Sequence, residues 1–155
     1  MAFSYSKTIA ATDPLFCPNA GEVASFTQII TVGTADLTQN NTFDICYIPP
    51  NCKVVDGYLA ATDMDSAASP ALTIIVGDSG DTDRFINAGT IGQAAMRMSF
   101  GNNATSAATL ITHQSTVYTS ATKLYGTFTN APGTAVAGTI AATVFYTTTE
   151  PPTTI

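Results

Sequence analysis

The chain has 155 residues, 45% of them hydrophobic and only 10% charged, with 11 acidic against 5 basic side chains and a formal net charge of −6. This composition excludes a disordered chain and fits one folded domain with a core of its own. The bases, Lys7, Lys53, Arg84, Arg97 and Lys123, are scattered, which argues against nucleic acid or an anionic membrane as a partner.

Residues 1–24 lack a clean period and contain Pro14, Pro18 and Gly21, so they read as an extended N-terminal arm lying on the rest of the domain or on a neighbour. The segment has no basic start followed by an apolar block, so no secretory signal is read there. From 25 to 147 the pattern is that of strands. Phe26, Ile30 and Val32 share one parity, and Phe43, Ile45 and Tyr47 alternate with Thr42, Asp44 and Cys46. Pro49-Pro50 ends the second strand, because proline cannot donate to a ladder. A third strand over 53–62 is expected to bury Val55, Leu59 and Ala61, and a fourth to bury Leu72, Ile74 and Val76.

Arg84–Asn87 reads as a short strand, and Ile91–Phe100 as the place for a helical turn. Three further strands are expected at Thr109–Tyr118, Lys123–Thr129 and Val136–Thr147, the last placing Val136, Ile140, Val144 and Tyr146 on one side. Between the last two, Pro132-Gly133 suits a type II turn. Residues 148–155 form a Thr- and Pro-rich tail. Seven or eight short strands with turn punctuation predict an all-β fold, an antiparallel sandwich of jelly-roll type. A charged share far below the usual quarter implies that part of its surface is covered by a partner.

Catalytic groups are scarce. Gly77-Asp78-Ser79-Gly80 matches the string around a serine-protease nucleophile, but Asp81 follows where that family has glycine. The lone histidine, His113, also comes after the serine rather than before it. The string reads as a turn, His113 as a structural strand residue, and the chain as a non-enzyme without a cofactor. Asp78, Asp81 and Asp83 are candidate oxygen ligands for Ca²⁺, although their spacing departs from the calcium-loop pattern and solvated turns suit it better. If strands 53–62 and 71–77 pair as a hairpin, Asp63 and Asp65 lie at its other end and share no ion with them. Arg84 offers that cluster a countercharge. Cys17, Cys46 and Cys52 fit no metal-binding spacing and read as reduced, mostly buried thiols, with the Tyr47–Asn51 turn able to bring Cys46 and Cys52 together.

The run Val54-Val55-Asp56-Gly57-Tyr58-Leu59, then Leu72–Gly77, then Gly80-Asp81-Thr82-Asp83-Arg84-Phe85-Ile86, resembles small structural proteins of tailed phages. Gly89-Thr90-Ile91-Gly92-Gln93-Ala94 and a closing hairpin from Leu124 to Tyr146 fit the same style, so the resemblance spans roughly 50–147. It is to capsid decoration (cement) or head-associated proteins. It implies a homotrimer bound outside the shell, bridging major capsid protein subunits, in a virion assembled in the host cytoplasm. A tail or head-fibre module that binds a host receptor or glycan is the alternative.

Overall fold

The computed structural model describes residues 4–5, 22–101 and 107–149. Strands β1 (Ser4–Tyr5), β2 (Val23–Val32), β3 (Thr42–Ile48), β4 (Cys52–Ala61), β5 (Thr73–Asp78), β6 (Asp81–Gly89) and β7 (Arg97–Ser99) come first. Helix α1 (Ala107–Ser115), β8 (Thr122–Asn130) and β9 (Gly138–Thr148) follow. The strands form two sheets, ordered β1-β3-β8-β5-β6 and β2-β9-β4-β7. Apart from β1, a two-residue strand parallel to β3, all pairings are antiparallel.

If β2 to β9 are counted as strands one to eight, the sheets run 2-7-4-5 and 1-8-3-6, which is jelly-roll order. The expected fold class is borne out. Of the extended arm, residues 1–3 and 6–21 lie outside the described residues, as does the tail from residue 150.

The core lies between the sheets. Ile30, Ile48, Leu59, Ile74, Leu124 and Ile140 are among its buried members, and the Phe43 and Phe128 rings meet with centroids 5.3 Å apart. Leu72, Ile74 and Val76 all point inward as expected.

Two bulges overturn the parity predicted for their strands. Between Asp44 and Cys46 the register of β3 on β8 slips around Ile45, so Cys46 and Ile48 turn inward while Tyr47 is exposed. Between Val54 and Asp56 the register of β4 on β9 slips around Val55, so Val54 is buried in its place. An extra residue in one strand flips every side chain beyond it.

Other expectations need correction. Thr109–Tyr118 is not a strand: α1 occupies most of it, crossing from one sheet to the other. There its amides bond within the segment instead of to a ladder. Strands β4 and β5 form no hairpin, and neither do β8 and β9, since each pair is divided between the sheets. Gly133 lacks the positive φ that a type II turn requires. Val136 precedes β9 and is exposed. The helical turn expected over Ile91–Phe100 is a 3-10 turn at Ile91–Gln93, and β7 takes Arg97–Ser99.

Candidate functional surface and the acidic turns

Two buried carboxylates hold the two ends of β5. Asp65, 1% exposed, accepts five backbone hydrogen bonds. Its Oδ2 takes Ala71 N at 2.6 Å, Leu72 N at 3.0 Å and Gly133 N at 3.1 Å, and its Oδ1 takes Ala67 N at 3.3 Å and Thr134 N at 3.0 Å. This one side chain joins the loop before β5 to the loop before β9. Burial opposes ionisation, but the backbone donors on Thr134, Ala71, Leu72 and Gly133 outweigh it and hold the carboxyl well below the usual range.

Asp78 does the same at the other end. Its Oδ1 accepts Gly80 N at 2.8 Å and Asp81 N at 3.0 Å, closing the turn. Its Oδ2 accepts Arg84 Nε at 2.7 Å and the Tyr118 hydroxyl at 2.8 Å. Burial pushes this carboxyl up, while Arg84, Tyr118 and the Gly80 amide bring it to a net value below normal. Arg84 also donates from Nη1 to Thr116 Oγ1 at 3.0 Å, linking the β5–β6 turn to the chain after α1. Arg84 is thus the countercharge that its position in the sequence suggests.

The candidate ligands do not converge as three free carboxylates. Asp78 is turned inward to Arg84 and Tyr118, while Asp81 and Asp83 face one another closely enough to share a proton, which raises Asp83. Among the described residues, no group of three or more His, Cys, Asp or Glu side chains is arranged to hold a metal ion. Ser79 stands exposed on the turn. His113 is buried on α1, its ring edge toward Phe85 with centroids 6.1 Å apart. Burial lowers its pKa, and its Nδ1 lacks a hydrogen-bond partner. Among the described residues the geometry brings no nucleophile and base together. Cys46 and Cys52 are both buried, and burial pushes the Cys46 thiol up to about 12. Cys17 lies outside the described residues.

The surface most suited to a partner is the outer face of β2-β9-β4-β7. Neither β2 nor β9 carries a charged side chain. They pair over ten consecutive positions without a bulge. Outward along β2 stand Val23, Ser25, Thr27, Ile29 and Thr31, with Val23 60% and Ile29 66% exposed. Opposite them on β9 are Thr147, Phe145, Thr143, Ala141 and Thr139.

Several hydroxyls on this face are satisfied within it. Thr27 and Thr143 share a hydrogen bond of 2.9 Å, and Thr147 Oγ1 donates to Glu22 O at 2.7 Å. The charged rim lies at the other side, where Arg97 stacks over the Tyr58 ring at 3.8 Å and Tyr58 meets Phe145 at 6.5 Å. The opposite sheet differs, since its outer face carries the Lys123–Asp44 ion pair. The uncharged runs 23–32 and 138–148 are visible in the sequence. Their adjacency is not, because it depends on pairing the first long strand with the last.

No family model and no curated protein matches the sequence. Solved structures do match the fold. A chain in the capsid of Ralstonia phage GP4 superposes with a TM-score of 0.71 at 21% identity, over 86% of this chain and 90% of that one. A chain of the cyanophage Pam1 capsid asymmetric unit gives 0.57 at 24% identity, over 91% and 97%. A chain of the acidic stable capsid of Helicobacter pylori bacteriophage KHP30 gives 0.50 at 14% identity, over 80% and 91%.

Proposed function

We propose that this chain is a non-enzymatic structural protein of a phage virion, which decorates and stabilises the capsid from outside by bridging major capsid protein subunits as a homotrimer. The observation that carries this reading is the likeness to chains within three phage capsids, extending over 80% or more of both partners in each case. The chemistry agrees with it. A protein that reinforces a shell needs buried contact area rather than reactive groups, and the two buried carboxylates serve loop geometry. An acidic chain suits the outside of a shell better than a surface against packaged DNA.

Virions purified from the source phage test the proposal. The chain is expected at stoichiometric levels in the particle, and capsids without it should rupture at lower temperature or under milder osmotic shock. Absence from purified particles would overturn it.

A further inference from the structure

We propose that the outer face of β2 and β9 is the contact between copies of this chain, the surface through which the trimer closes. The inference rests on the preceding reading for its stoichiometry, and on four observations of its own for the surface.

The first is charge. At a net charge of −6, copies repel one another wherever acidic groups meet. The neutral β2–β9 face is where they can approach without that opposition. A shell protein of unknown charge is under no such constraint, so neutrality favours a second copy as the occupant.

The second is the edge itself. Among the described residues, β2 pairs only with β9 and is the outermost strand of its sheet. Edge strands are ordinarily protected by Lys, Pro, bulges or short length. This one has ten residues, no charge, no proline and no bulge. A second strand or a flat neutral surface can be laid against it.

The third is desolvation. The Thr27–Thr143 pair and the Thr147–Glu22 bond occupy hydroxyls that would otherwise need water, so covering them strands fewer polar groups. Ile29, opposite Ala141 and two-thirds exposed, supplies apolar area near the middle of the strand.

The fourth is the boundary. Arg97, Asp56 and Lys53 lie on the β4–β7 side, so the uncharged, threonine-rich strip around Ile29 and Phe145 is bordered there by charge, as the rim of a protein–protein interface is.

Sedimentation velocity on the purified full chain is the test, with Ile29→Glu set against Ile111→Glu. Ile111 is 65% exposed on α1, so the control makes the same charge change at equal exposure away from the face. The expected result is a concentration-dependent trimer for the unaltered chain and for Ile111→Glu, with association of Ile29→Glu weakened at least tenfold. Circular dichroism checks that both variants fold, and Thr31→Glu on the same strand replaces Ile29→Glu if it does not. An unaltered chain that stays monomeric, or an Ile29→Glu trimer as tight as the control, overturns the inference. So does a variant that still trimerises but no longer binds capsids, since the face would then belong to the shell. A monomer that still binds capsids sinks only this inference. A chain that trimerises through this face but is missing from virions sinks only the capsid reading.

Discussion

Tyr118 donates its hydroxyl to Asp78 Oδ2 at 2.8 Å, joining the turn after β5 to the segment that leaves α1. Burial, and then this bond to a carboxylate, push the phenol well above its ordinary range. Tyr118 thereby stays protonated, and a donor, well beyond neutral pH. Its backbone is fixed too, through Tyr118 N to Cys52 O at 2.9 Å and Asn51 N to Tyr118 O at 2.6 Å. Replacing it by Phe should cost about 1.5–3 kcal/mol in urea unfolding, the value of a hydrogen bond to a charged acceptor. An unchanged unfolding midpoint would show the bond to be unimportant.

Arg84 is the harder loss. Its pairing with Asp78 is buried on both sides, with side chains 12% and 3% exposed. Arg84→Met leaves a buried carboxylate short of its cation and should destabilise by about 3 kcal/mol. Arg84→Lys restores the charge, but a single ammonium does not reproduce the fork that reaches both Asp78 and Thr116. It should recover only part of the loss in the same measurement.

Acid should unfold the protein in two stages. His113 is held below its ordinary value of about 6.5, so the unfolded chain takes the proton first and stability falls as pH drops through that region. Asp65 and Asp78 are held below theirs. Their contribution is complete above the unfolded value of about 3.9 and is lost as pH falls through the lower folded values. His113→Gln should remove the upper stage and leave the lower. Unfolding free energies at pH 7.5, 5 and 3.5 separate the two, and identical slopes in both proteins would exclude His113 as the cause.

Asp83 carries the opposite sign. Its carboxyl is raised, chiefly by the hydrogen bond it shares with Asp81 and then by burial. At neutral pH its place beside Asp81 disfavours the ionised Asp83 carboxylate. Asp83→Asn should therefore stabilise by less than about 1 kcal/mol at pH 7, since the site is partly solvated, with the gain vanishing below pH 4. Thermal melts at the two pH values check this, and a loss at pH 7 would contradict it.

Gly126 should tolerate no side chain. A Cβ there would overlap the Phe43 ring, which is itself packed on Phe128. Gly126→Ala is expected to cost about 1–3 kcal/mol by overpacking. A melt indistinguishable from the parent would mean that the ring has somewhere to go.

The sequence made the strand positions legible, because threonine and branched side chains at period two leave little else to form. Leu72, Ile74 and Val76 point inward as their spacing says. It failed at Ile45 and Val55, where one extra residue inverts a strand and only the partner's register reveals it. It failed again at α1, where Thr109, Ile111 and Thr112 favour a strand locally but the chain is crossing between sheets. Asp65 was legible as a turn residue, not as a hub, since Gly133 and Thr134 lie 68 and 69 residues away. The neutral face was half legible, as two uncharged runs whose pairing had to be seen.

The pairing of β2 with β9 also sets where the chain enters and leaves. Val23 faces Thr147 across the ladder, so the start of β2 and the end of β9 lie about 5 Å apart at one corner. A handful of residues could splice one to the other, and new ends could be opened in an exposed turn away from Asp65 and Asp78. The run from β2 to β9 is, in effect, nearly circular, and a permuted chain would keep every pairing of the jelly roll, giving up only the two-residue β1–β3 contact, while moving both ends to a chosen site.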